Sequence, residues 1–173
     1  MKHAMLAGVL LLATCSLWAA EKSKGAKADL WTAQGEQAGT ATLKEVKNGV
    51  KIALAVSGLP AGVHAFHIHA VGKCEAPDFK SAGGHFNPEG KKHGLKNPEG
   101  PHAGDMPNVT VGANGKGKAT VVNTRVTLGE GANSLFHEGG TAIVVHEKAD
   151  DDVTDPAGNA GNRIACGVVE KVQ

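Results

Sequence analysis

The sequence predicts an all-β domain, an antiparallel sandwich or barrel that carries two long functional loops. Three observations lead there. No segment of any length has helical periodicity, whereas short runs alternate apolar and polar residues. Turn dipeptides punctuate those runs, and glycine is abundant at 24 residues, which implies many tight turns. Aromatic residues make up only 3% and tyrosine is absent, so the core must rest on Val, Ile, Leu and Ala.

Residues 1–20 read as a secretory signal. Lys2 gives a positive start, and residues 5–13 form an apolar stretch too short to span a bilayer. Cleavage is expected after Ala19 or Ala20. Cys15 offers a rival reading, as a lipid-modified N-terminus. Both readings export the domain, to the periplasm or as a secreted protein. Residues 21–27 are short and polar and read as a flexible tether, which leaves 28–173 as the folded domain.

The first predicted hairpin pairs residues 40–46 with 50–56. In the second strand Val50, Ile52, Leu54 and Val56 alternate with Lys51, Ala53, Ala55 and Ser57, and Asn48-Gly49 supplies the turn. His67-Ile68-His69 reads as strand, with Phe66 and Ile68 facing the core. A second hairpin runs from 109–111 through Asn114-Gly115 to 118–122, and residues 141–145 and 164–172 read as later strands. Two stretches break the rhythm, 70–108 and 147–162. Loops of that length are uncommon unless they are functional or disordered.

Charge excludes some functions. Lys plus Arg number 18 against 17 Asp plus Glu, and the signal removes one of the lysines. No basic field and no set of stacking aromatics exists to hold nucleic acid. Without the leader two cysteines remain, Cys74 and Cys166. An even pair in an exported chain suggests a disulfide, with two buried thiols as the alternative.

The chemistry lies in the histidines. His85, His93, His102 and Asp105 are spaced by 8, 9 and 3 residues and form a closed four-ligand set, the number a structural zinc takes. His67 and His69 share one face of a strand, and His146 ends the apolar run 142–145. Imidazoles with one carboxylate are donors that zinc and copper prefer. A lone H-x-H is weak. Six histidines in register with strands and a carboxylate are far more specific.

The segments around these residues carry a resemblance. Ala65-Phe66-His67-Ile68-His69, Gly84-His85-Phe86-Asn87-Pro88, the run from Val145-His146 to Asp151, and the run from Gly158 through Arg163 to Cys166-Gly167 resemble copper/zinc superoxide dismutase, in particular its exported bacterial members. The likeness covers essentially all of 28–172. It implies a Greek-key fold and dismutation of superoxide to oxygen and hydrogen peroxide. A redox-cycling copper supported by a structural zinc would do this, as antioxidant defence outside the cytoplasm.

By matching motif, copper would be held by His67, His69, His85 and His146, and zinc by His85, His93, His102 and Asp105. His85 would bridge the two and relay a proton. Asp150 would bond His67 and His93 from behind the metals. Arg163 would dock the superoxide anion, and Cys74 and Cys166 would be the intrachain disulfide. His64 matches a structural histidine, whereas His137 matches nothing functional.

The chain departs from the well-known animal enzymes in places. Cys74 lies five residues after His69, so residues 75–80 rearrange the disulfide subloop, which bears on the homodimer that the family implies. Loop 147–162 is shorter, and only Lys148 and Arg163 remain to guide superoxide. Two other classes compete with the catalytic reading. A copper-binding domain without turnover would lack a copper ligand or the arginine, and a metal-storage module would have loose spacing and no Asp150.

Overall fold

The computed structural model describes residues 25–172. The predicted signal, the alternative at Cys15 and residues 21–24 of the tether lie outside them. Ten strands form one antiparallel sheet: β1 Gly25–Trp31, β2 Gln37–Val46, β3 Gly49–Val56, β4 Gly62–His64, β5 Phe66–His69, β6 Val109–Val111, β7 Gly117–Asn123, β8 Ala142–His146, β9 Arg163–Val168 and β10 Glu170–Lys171. Their order is β4-β6-β7-β3-β2-β1-β9-β8-β5, with β10 beside β1. The ends of that path, β4 and β5, are separated in sequence by Ala65 alone, so the sheet curls into a nearly closed barrel. β3 neighbours β7 and β1 neighbours β9 across long connections, the crossovers of a Greek key. Among the described residues no helix is long and apolar enough to cross a membrane.

Side-chain alternation builds the core. Val50, Ile52, Leu54 and Val56 of β3 are buried, and Lys51 and Ala55 are exposed. They join Leu30, Leu43, Phe66, Ile68, Ile143 and Val145 in the main apolar cluster. β5 and β8 differ from the others because both of their faces are buried. Phe66, Ile68, Ile143 and Val145 take the inner face. On the outer side, Ala142, Val144 and Cys166 join Phe79 and Ala82 of loop 70–108 in a second cluster. The loop is therefore seated partly by its own apolar residues.

Several details depart from expectation. Gly25, Ala26 and Lys27 belong to β1, where Ala26 pairs with Leu43 and Lys171, rather than to a tether. Val46 pairs with Gly49, so Lys47 and Asn48 make the first turn and Gly49 begins the next strand. Residues 164–172 split into β9 and β10 at Val169. A third long connection, 124–141, joins β7 to β8. Alternation is weak there, and nothing in its composition separates it from a strand pair.

Cys74 and Cys166 are joined, with a sequence separation of 92 residues. The bond ties loop 70–108 to β9. In the chain-entropy view a closed loop of this size contributes about 4 to 5 kcal/mol. Replacing both cysteines with serine should lower Tm by about 10 °C, measured by calorimetry on protein with metals removed. An unchanged Tm would show that the loop is seated without the bond.

Candidate metal centre

Phe66 and Ile68 face the core, so His67 and His69 project to the outer face of β5. The β5–β8 ladder pairs His67 with Val144 and His69 with Ala142, which brings the end of β8 and His146 alongside. His85 arrives from loop 70–108 through a single antiparallel bridge to His69. Gly104 lets a second pass of the loop close on β5. Its N–H bonds Phe86, its carbonyl accepts from Ile68, and a Cβ there would collide with the Ile68 carbonyl.

The donor atoms converge in two groups, His67, His69, His85 and His146, and His85, His93, His102 and Asp105. Hydrogen bonds decide which nitrogen each ring offers. His67 Nε2 donates to Asp150 at 2.7 Å, which leaves Nδ1 with the lone pair. His69 Nδ1 donates to the Gly83 carbonyl at 2.9 Å, which leaves Nε2, and this lies 3.3 Å from His146 Nε2. His93 Nε2 donates to Asp150 at 3.0 Å and leaves Nδ1.

Around Asp105 Oδ1 gather His85 Nδ1 at 2.9 Å, His93 Nδ1 at 3.0 Å and His102 Nδ1 at 3.4 Å, with His85 and His102 nitrogens 3.5 Å apart. A tetrahedral zinc with bonds near 2.0 to 2.1 Å has ligand edges of about 3.3 Å. His67 Nδ1 and His85 Nε2 are buried with no hydrogen-bond partner. Such an orphan costs about 1 to 3 kcal/mol unless something satisfies it. Each points its lone pair into the all-imidazole group, so the residues present fit a copper there and a zinc beside Asp105.

The two groups differ electrically. Burial, and then the neighbouring His67 and His85 rings, push His146 down to about 3. Burial also takes His85 down to about 4 against the pull of Asp105, and holds His69 well below the ordinary range. These rings stay neutral and keep their lone pairs. At His93 burial again opposes charge, but the carboxylates of Asp105 and Asp150 outweigh it and push the ring up to about 10. That side of the centre calls for a positive charge, from a proton or from a dication.

Arg163 meets the centre through an irregularity. The β8–β9 register shifts after Val145, which pairs with Ala165, so that His146 pairs with Arg163 and Ile164 is the extra residue. This bulge aims the arginine at the site. Its Nη1 donates to the Phe79 carbonyl at 2.6 Å and its Nη2 to the Gly83 carbonyl at 2.7 Å. It lines a cleft of about 380 Å³ together with His69, His85 and His146, under Pro156 and Gly161 of loop 147–162. Lys148 is exposed and does not line that cleft.

The structure brings every residue singled out around His85 to this one place. His64 lies apart and ties β4 to β8, between the carbonyls of His146 and Pro60, each at 2.9 Å. His137 stacks on Phe86. Sequence reasoning missed the polar supports. Asn108 exchanges two hydrogen bonds with the backbone of Asp150, at 2.8 and 3.0 Å. Asp155 accepts from the His93 N–H at 2.7 Å. Asn123 and Arg125 reach the carbonyls of turn 102–105. None of these stands at a ligand-like spacing.

The family described as copper/zinc superoxide dismutase (SODC) matches residues 37–169. The chain is 54% identical over 167 residues to Cu-Zn superoxide dismutase 2 of Aquifex aeolicus, which covers 95% of this chain and 96% of that one. With Cu-Zn superoxide dismutase 1 of the same organism the identity is 58% over 145 residues, 83% and 86% of the two chains. The crystal structure of a SOD-like protein from Bacillus subtilis superposes with a TM-score of 0.79 at 40% identity, covering 82% of this chain and 96% of that one.

Gly158 is where the packing has least slack. Its φ is +62°, and a Cβ would collide with the Asp150 carboxylate and lie 2.7 Å from His93 Nε2. Gly158→Ala should displace Asp150 and weaken metal retention about tenfold or more. Gly84→Ala, whose Cβ meets nothing within 4 Å, should retain metal like the parent. Metal content after dialysis against a chelator checks both.

Proposed function

The chain belongs to the copper/zinc superoxide dismutase family, and on that premise we propose how its residues divide the reaction. It is an oxidoreductase with copper and zinc as cofactors and superoxide as substrate. In our reading His67 Nδ1, His69 Nε2, His85 Nε2 and His146 Nε2 hold copper. His85 Nδ1, His93 Nδ1, His102 Nδ1 and Asp105 Oδ1 hold zinc. The observation that carries this division is that the two nitrogens of His85 face two different donor groups. When bound, copper supplies the one-electron couple for turning superoxide into oxygen or peroxide, and zinc, which has no redox chemistry, orders its ligands.

The protein's own groups bind, orient and move protons. Arg163 spends one donor from each terminal nitrogen on loop carbonyls and keeps the rest for the cleft. A guanidinium fixed in this way docks a small anion beside His69, His85 and His146 and stabilises the charge that grows as peroxide forms. His85 Nε2, buried at the junction of the two groups, is the atom at which we place a proton delivered to peroxide, in the half of the cycle in which that nitrogen would not be holding copper. Asp150 holds His67 and His93 in the tautomers that present Nδ1.

The Cys74–Cys166 bond fits an oxidising compartment. We read residues 1–20 as the export signal, 28–173 as the dismutase domain, and the role as antioxidant defence outside the cytoplasm.

Metal analysis with a superoxide-consumption assay tests this reading. The mature chain should bind one copper and one zinc, with activity following copper. His146→Ala should abolish turnover and leave zinc in place. Full activity without copper would refute the assignment.

Charge guidance is tested separately. Sequence charges nearly cancel, so attraction must be local. Arg163→Glu should cut the second-order rate constant about tenfold or more and reverse its salt dependence. Arg163→Lys should retain part of the rate, because it keeps the charge and loses the fork. Lys148→Ala, outside the cleft, should cost less, and the loss should shrink as the Debye length falls from about 30 Å at 0.01 M salt to about 10 Å at 0.1 M. A parent-like rate for Arg163→Glu at low salt would remove the arginine from this role.

A further inference from the structure

We propose that Arg125 is a positioning residue for the group His85, His93, His102 and Asp105, and that it sets how long zinc stays bound. The inference rests on the zinc assignment above. Arg125 Nη2 donates to the main-chain carbonyl of Asp105 at 2.6 Å, and its Nε to that of His102 at 3.2 Å. Both acceptors belong to residues whose side chains are donors of that group. Between them, the buried Asn123 donates to the carbonyl of Ala103 at 2.7 Å and accepts the N–H of Arg125 at 2.9 Å. Three carbonyls of one four-residue turn are thus gripped from the end of β7.

Shape and place of this turn are held by different contacts. The turn closes on itself, with the His102 N–H donating to Asp105 Oδ2 at 2.9 Å and the Asp105 N–H to the His102 carbonyl at 3.3 Å. Those bonds preserve its shape wherever it sits. Arg125 and Asn123 tie it to the barrel. Arg125 is itself anchored, because its carbonyl accepts from Asn133 Nδ2 at 2.8 Å, a nitrogen that also reaches Glu89 at 3.0 Å. The next residue, Val126, is buried in the main core.

A guanidinium suits this task. Its donors leave a rigid plane at fixed angles, so one side chain holds two carbonyls in a set relation. A lysine would bring the same charge as a single mobile point. A four-ligand site loses its metal one bond at a time, and a ligand held in place rebinds before the next bond breaks. Losing the fork should therefore speed release. The charge of Arg125 acts in the opposite sense, because it repels a dication. The direction of change shows which effect wins.

Zinc transfer to an excess of a chromogenic chelator is followed with the copper- and zinc-loaded protein, well below its melting temperature. The parent is compared with Arg125→Ala, Arg125→Lys and Val126→Ala. Arg125→Ala should release zinc about tenfold faster or more, and Arg125→Lys should behave nearly like it. Val126→Ala lowers Tm by losing core packing, but it leaves both bonds intact and should release zinc at the parental rate. With cobalt in place of zinc, the visible spectrum should change for Arg125→Ala and not for Val126→Ala. Parental or slower release from Arg125→Ala, or equal acceleration by Val126→Ala, would overturn the inference. A parent that holds no zinc would overturn the metal assignment as well, whereas a zinc-bearing parent with unresponsive Arg125 variants overturns this step alone.

Discussion

Each oxygen of Asp150 is committed to a different imidazole, Oδ2 to His67 at 2.7 Å and Oδ1 to His93 at 3.0 Å. That carboxylate fixes the tautomer of one ring in each donor group at once. It also fixes where loop 147–162 lies on loop 70–108, because its backbone is bonded to Asn108 and Gly158 packs directly on it. Burial raises the cost of leaving such a group unpaired, so the pair of bonds is held firmly. One carboxylate therefore links the two loops and both donor groups.

The barrel supplies positions rather than chemistry. A strand alternates its side chains, so the same β5 that buries Phe66 and Ile68 inward must present His67 and His69 outward. The outer face would be solvated if the loops did not cover it. Phe79 and Ala82 cover the apolar part above β8 and β9, and the disulfide fastens that cover to β9. The Gly83 carbonyl accepts from both His69 and Arg163, so the seating of one loop residue sets a ligand ring and the arginine together.

Legibility in the sequence followed the physics of each feature. Strands of alternating aliphatic residues were readable, because period two is the direct consequence of one buried face. β1 was not. Its buried positions are Ala26, Ala28 and Leu30, two of them alanines that carry little hydropathic contrast, with Lys27 and Asp29 between. The convergence of the six histidines and Asp105 was readable because each such position must carry a donor side chain. Their supports were not, since Asn108, Asn123 and Arg125 act through backbone carbonyls, and any polar loop residue could do so. The bulge at Ile164 left no mark either. It is a register choice, settled by pairing across β8 and β9.

The contrast between the two groups bears on why they sit together. In the all-imidazole group burial holds His69, His85 and His146 below the ordinary range, so these three rings stay neutral. Neutral rings do not favour one charge state strongly, which suits the redox-cycling copper proposed for that group. The neighbouring group contains Asp105 and leans on Asp150, and it holds His93 cationic up to about 10 when nothing else supplies the charge. Such a group favours a permanent dication and would resist a change of charge. His85 joins them, with one nitrogen facing each group. In the assignment proposed above, it would link a site of fixed charge to one of variable charge. Asp150 and Asp155 bond His93, Arg125 bonds the carbonyls of His102 and Asp105, and Asn123 bonds that of Ala103 between them, and of the four only Asp150 also bonds a ring of the all-imidazole group.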